Sequence, residues 1–166
     1  MRMKKAQSAL EFLTTYGWAF LVILIMIGAL AYFGVLDPSR FLPEKCSPDT
    51  GFTCKGLVVE ASANTFTFAM VNGIGKNIEI GAATFTADQG TTCTVASIED
   101  GAANDLEAAI PAATWAPEAE LVVTITCGAS EIKSKTRSSG TFTMDYQEAG
   151  SSFTKKLKTE LSGRSP

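Results

Sequence analysis

The sequence predicts an α+β protein, in which a long apolar N-terminal helix precedes a β-sandwich of immunoglobulin-like character. Residues 12–36 form a run of about 25 residues without a charged side chain, longer than the roughly 18 that mark a candidate membrane span. From residue 57 onward, short alternating runs of apolar and polar residues are separated by Gly, Asn or Ser, the pattern of half-buried strands. We therefore divide the chain into a basic leader at residues 1–6, a hydrophobic transmembrane helix at 7–36, a Pro- and Cys-containing linker or collar at 37–56, and a β-rich domain at 57–166.

The orientation of the helix follows from the charges that flank it. Arg2, Lys4 and Lys5 precede the apolar run, and the next basic residue is Arg40. The positive-inside rule then places the N-terminus in the cytoplasm and the β-rich domain outside. The run is too long for the apolar region of a secretory signal peptide, which spans about 7–15 residues. We therefore expect a single-pass membrane protein.

Glu11 is an ionisable residue at the start of this apolar run. Such a residue has two interpretations, because its side chain can simply reach the lipid headgroups or can be a functional group that finds its partner on assembly. The spacing alone leaves both open.

The segment KKAQSALEF at residues 4–12, followed by TYGWA at 15–19, resembles the class III signal peptide of archaeal type IV pilin-like proteins. That family has a short basic leader, a small residue, a Gln at the new N-terminus and a Glu four residues further on. The resemblance implies that a membrane-embedded prepilin peptidase cuts between Ala6 and Gln7 and leaves the helix on the mature chain. Gln7 and Glu11 are then the assembly residues, with the Glu11 carboxylate paired to the Gln7 ammonium of a neighbouring subunit.

The function implied by this resemblance is a structural subunit of an archaeal type IV pilus-like surface filament that supports adhesion. The partners of such a subunit are other copies of itself, the prepilin peptidase and the pilus assembly machinery. Before assembly the subunit lies in the membrane, and after assembly it is part of an extracellular filament. One alternative is a membrane-tethered binding domain that does not polymerise, or a minor tip pilin, with Trp115 and Phe52 in loops contacting a ligand. Another is an archaellum subunit.

The composition argues against enzymes and nucleic-acid-binding proteins. The 166 residues include no His, which removes the commonest general base and zinc ligand. The net charge of −3 disfavours a nucleic-acid surface. We therefore expect no catalytic residues, no metal site and no cofactor.

Eight strands are predicted in the β-rich domain, at residues 57–60, 65–71, 77–86, 92–98, 121–127, 132–137, 141–147 and 152–159. The apolar residues of these strands are the predicted core: Phe66, Phe68, Ile78, Ile80, Phe85, Val122, Ile125, Phe142, Met144 and Tyr146, with Phe153 and Leu157 as further candidates. Residues 98–120 are predicted to be a polar and Ala-rich insertion between strands, with a short helix at 105–110.

The four cysteines all follow the apolar run, and an even number in an exported domain indicates disulfides. Three pairings are possible. Of these we favour Cys46 with Cys54, which closes a small loop at the collar, and Cys93 with Cys127, which joins two strands.

The charges are unevenly distributed along the β-rich domain. Residues 79–131 hold nine acidic residues and no basic one, whereas residues 132–166 hold seven basic and three acidic residues. This pattern is either ordinary variation of a charged surface or a pair of complementary faces between neighbouring subunits.

Overall fold

The computed structural model describes residues 3–36, 42–88, 90, 92–106, 109–111, 113–129 and 132–166, with helix side chains from residue 11 onward. The chain divides into two compact units, Met1–Leu42 and Pro43–Pro166, which we describe separately. The first is helical and the second is built from antiparallel sheets. The predicted order of an apolar helix followed by a β-sandwich is therefore confirmed.

The first unit contains helix α1, Met3–Tyr32. The helix runs through the predicted leader and ends four residues before the predicted boundary at residue 36. Gly34 explains this difference, because its φ of 67° lies in the left-handed region that commonly ends a helix. A final turn follows, in which the Phe33 amide donates to the Ala29 carbonyl at 3.0 Å.

The second unit is a sandwich of two antiparallel sheets, with nine strands in the described residues. Their bounds are β1 Lys45–Pro48, β2 Phe52–Glu60, β3 Thr65–Asn72, β4 Ile78–Ala87, β5 Cys93–Asp100, β6 Ala113–Trp115, β7 Glu120–Cys127, β8 Arg137–Glu148 and β9 Thr154–Arg164. The five-stranded sheet has the order β1-β9-β8-β4-β6, and the four-stranded sheet has the order β2-β3-β7-β5. The predicted linker at residues 37–56 thus contains β1 and the beginning of β2, while residues 37–41 lie outside the described part.

One predicted strand is wrong and two strands were not predicted. Residues 132–136 form a turn, and Arg137 instead begins β8. Lys135 has a φ of 61°, a left-handed conformation that interrupts an extended chain. The unpredicted strands β1 and β6 have four and three residues, so they are too short for an alternating pattern to be recognised.

The core lies between the two sheets and contains most of the predicted residues. Phe66, Phe68, Ile78, Ile80, Phe85, Ile125, Phe142, Met144 and Leu157 are buried there. The assignment of Val122 was wrong, because Val123 is buried and Val122 lies on the outer side of β7. Tyr146 is partly buried, and Phe153 is 78% exposed in the connection between β8 and β9.

The two disulfides join Cys46 to Cys54 and Cys93 to Cys127. The first connects β1 of the five-stranded sheet with β2 of the four-stranded sheet, so it is a covalent link between the two layers. The second joins two register partners on the neighbouring strands β5 and β7. The pairing is the one that we favoured among the three possible ones.

Candidate assembly segment

The apolar part of α1 is the strongest candidate for a functional segment. Glu11–Tyr32 is the one candidate membrane span among the described residues, and none of its 22 residues is buried within the chain. Its bulky side chains are largely exposed; Trp18, for example, is 69% exposed. At about 1.5 Å per residue the span measures about 33 Å, close to the ~30 Å of a bilayer core. A helix that is apolar on all sides requires an apolar partner, either lipid or other helices.

The threonines at the beginning of this span are satisfied inside the helix. The hydroxyls of Thr14 and Thr15 both donate to the backbone carbonyl of Glu11, at 3.1 and 2.9 Å. Such bonds let a hydroxyl enter an apolar medium without losing its hydrogen bonding. Phe12 and Tyr16, one turn apart, pack with their ring centroids 4.1 Å apart. The beginning of the span therefore presents apolar rings and one carboxylate.

Glu11 is exposed at the first position of the span, and its carboxylate forms no ion pair with the described side chains. Helix α1 runs continuously through Ala6 and Gln7, whose side chains lie outside the described part. Gln7 and Glu11 are four residues apart, so they lie on the same face of the helix, about 6 Å apart along its axis. A new N-terminus at Gln7 would lie one turn from this carboxylate.

The two aromatic residues suggested as ligand contacts are not in loops. Trp115 lies on β6 and is 2% exposed, and Phe52 lies at the start of β2 and is buried. Their rings stack with centroids 5.4 Å apart, and Tyr146 packs edge-on against Phe52. The Trp115 indole N–H donates to the Ala119 carbonyl at 2.9 Å. These residues therefore close one end of the core, and the suggestion that they contact a ligand is wrong.

Asn72 lies beside this aromatic cluster and was not singled out from the sequence. Its side chain is fully buried, and its amide nitrogen donates to the carbonyls of Lys76 and Trp115 at 2.8 and 3.1 Å. Its side-chain oxygen accepts the Ile74 amide at 3.0 Å. Asn72 thus joins the connection after β3 to strand β6. The Asn-Gly pair at 72–73, a common turn signal, was the available clue.

The pKa shifts of three surface groups are caused by hydrogen bonds to neighbouring residues. Hydrogen bonds from Asn104 lower the pKa of Asp100, whose carboxylate also accepts the Ala102 amide at 2.9 Å. A hydrogen bond from Lys155 lowers the pKa of Glu148, and the same contact raises the pKa of Lys155. Among the residues that the structure describes, no three acidic or Cys side chains come together as a potential metal site.

Comparison with known proteins finds no family model that matches the chain and no curated protein that matches it.

Proposed function

We propose that the chain is a structural subunit of an archaeal type IV pilus-like surface filament. The observation that carries this proposal is the exposed apolar span Glu11–Tyr32, which leaves its whole surface for a partner. The leader-like segment before it, with Gln7 one turn ahead of Glu11, supports assembly through the helix rather than anchoring alone. The subunit is inserted with its N-terminus in the cytoplasm, cut between Ala6 and Gln7 by a prepilin peptidase, and then added to a polymer of identical chains.

The role of Glu11 in this proposal is electrostatic. A carboxylate at the centre of a bilayer costs about 2.5–3.5 kcal/mol, and less near the interface. Cleavage removes the leader cations and creates an ammonium on Gln7, with which the Glu11 carboxylate of a neighbour pairs in an apolar filament core. The pair removes the cost of the isolated charge and fixes the axial position of one helix against the next.

The second unit, Pro43–Pro166, which we call the head, supports a location outside the cytoplasm. Both disulfides lie in it, and such bonds persist mainly in exported proteins. We assign the sandwich to the immunoglobulin-like class. In the proposed filament it forms the outer surface and supports adhesion. We assign no enzymatic activity, because the chain lacks His and no nucleophile motif occurs in it.

The experiment that tests this function compares wild type with Glu11→Ala in filament counts and membrane immunoblots. We expect normal accumulation in the membrane, since the helix becomes more apolar, with few or no filaments, since a buried ammonium loses its partner. Glu11→Asp, which keeps the charge, is the matched control and should retain more filaments. Mass spectrometry of the wild-type surface form should find Gln7 at its terminus.

The second candidate is a membrane-tethered domain that never polymerises, which the bilayer-matched length of the span favours. A membrane-tethered domain would accumulate normally with Glu11→Ala, and neither wild type nor the variant would form filaments. Normal filaments in Glu11→Ala would remove the assembly role of this residue, and Met1 at the terminus of the surface form would overturn the pilin-like function.

A further inference from the structure

The outer faces of the two sheets differ in chemistry. On the four-stranded sheet, outward residues align in two rows across β2, β3 and β7: Val58 with Thr67 and Thr124, and Gly56 with Ala69 and Val122. All six residues are uncharged, and Val58 is 54% exposed. We call these six residues the neutral face. Such a surface shares one property with the core of a protein interface, the depletion of charged residues at its centre.

Charges surround the neutral face at its rim. Lys55 and Glu120 form an ion pair at one end, with a distance of 2.9 Å between Nζ and Oε2. Glu60 lies at the other end, on the last residue of β2, and Glu99 lies on the edge strand β5 beside Val122. Neither Glu60 nor Glu99 forms an ion pair with a described residue. The rim therefore carries two uncompensated acidic groups.

The outer face of the five-stranded sheet is charged instead, with lysines beside acidic residues such as Asp145 and Glu160. Strand β9 alternates buried and exposed residues, so that Lys156 and Lys158 point outward. Lys156 is bound to Asp145 at 2.9 Å, whereas Lys158 has no ion pair within the described residues. Its register partner is Thr143, whose own partner on β4 is Thr84. We call Lys158, Thr143 and Thr84 the lysine face.

We propose that the neutral face of one head packs against the lysine face of the head of a second copy. This inference rests on the proposed function, because it names the contact between heads in the same polymer. A helical polymer requires contacts between two different surfaces of each subunit, and these two faces lie on opposite sheets of one sandwich. Glu60 and Glu99 lie at the rim of the neutral face, and Lys158, without an ion pair among the described residues, lies on the lysine face. The two faces therefore carry opposite charges, which gives the contact its charge complementarity.

The test uses filaments of the full chain, measured as filament yield relative to membrane-inserted subunit. Val58→Lys places a charge in the centre of the neutral face at an already exposed position, and we expect filament yield to fall about tenfold or more. Phe153→Lys is the matched control, because it makes the same kind of change at an exposed residue outside both faces, and its yield should equal that of wild type.

Charge reversal tests the pairing of the two faces. Lys158→Glu and the rim variant Glu60→Lys with Glu99→Lys should each reduce yield, and their combination should restore it. Lys135→Glu, at an exposed lysine in the turn before β8, is the control and should have no effect.

The outcomes separate this inference from the proposed function. Wild-type filaments with unchanged yield in both Val58→Lys and Lys158→Glu would overturn the head contact alone. Loss of yield in Val58→Lys without loss in Lys158→Glu would overturn the lysine face as the partner, as would failure of the combined variant to recover. Absence of filaments from wild type would overturn both.

Discussion

Removal of the buried Asn72 amide is expected to destabilise the head strongly. In Asn72→Ala three hydrogen bonds disappear, two to the carbonyls of Lys76 and Trp115 and one from the Ile74 amide. At about 0.5–1.5 kcal/mol per bond, the free energy of unfolding should fall by about 2–4 kcal/mol. For a domain of this size about 4 °C is lost per kcal/mol, so Tm should fall by about 8–16 °C.

The measurement is thermal unfolding of the unit Pro43–Pro166, which contains its own core. Near-UV circular dichroism monitors the unfolding. The matched control is Asn77→Ala, which makes the same chemical change five residues away at an exposed position. Its Tm should stay close to that of wild type. Equal melting of the two variants would refute the reasoning that the Asn72 side chain holds this end of the sandwich.

The variant Asn72→Asp separates hydrogen bonding from packing, because the side chain keeps its size. The introduced carboxylate would face the two carbonyl oxygens that the amide now binds, and burial beside them raises its pKa. Its stability penalty should therefore grow as pH rises above about 3.9, the ordinary pKa of an aspartate, and level off above the raised value. A penalty independent of pH would contradict this explanation.

Three further predictions concern the head. Glu148→Gln should lower stability at neutral pH, because the contact with Lys155 lowers the pKa of Glu148. Its difference from wild type should shrink as pH falls below about 4.3, the ordinary pKa of a glutamate, and vanish below the lowered pKa, where the carboxyl is protonated in the folded state as well; urea unfolding at several pH values measures this. Gly140→Ala should destabilise the head by about 1–3 kcal/mol, because a Cβ there would lie 2.3 Å from the Phe85 ring and 2.8 Å from a backbone oxygen; denaturant midpoints test it against Gly56→Ala, a change on strand β2 where a Cβ meets no neighbouring atom. Thiol labelling of the unreduced, unfolded chain should find no reactive cysteine, and a Cys93 thiol that labels would disprove the Cys93–Cys127 bond.

Strands with several alternating residues were predictable, because a strand with one buried face has an apolar residue at every second position. Phe66 and Phe68 on β3 and Phe142 and Met144 on β8 show this pattern and are buried. Val122 was misassigned because all residues of its run, except the threonines, are apolar. Its assignment together with Ile125 was inconsistent, since residues three apart lie on opposite sides of a strand.

The rest of the fold depends on partners that are distant in the sequence. Trp115 was placed in a loop because β6 has three residues, yet its burial follows from pairing with Ile78 on β4. The contrast between the neutral and lysine faces likewise depends on strand order, which no local pattern encodes. Glu11, by contrast, could be singled out from the sequence alone, because a charged residue at the edge of an apolar run is a local pattern.

The Cys46–Cys54 bond determines how the head would carry mechanical load. A pull on the chain ahead of Pro43 reaches β1 first, which is held to β9 by four residue pairs and would resist peeling poorly by itself. Since Cys46 is the second residue of β1, only the residues before it can be drawn out, at about 3.5 Å each, before the bond becomes taut. Force then passes through the disulfide into β2 and is shared by both sheets. The length of chain that tension can pull out of the head is therefore limited by the Cys46–Cys54 bond and not by the strength of the short β1–β9 pairing.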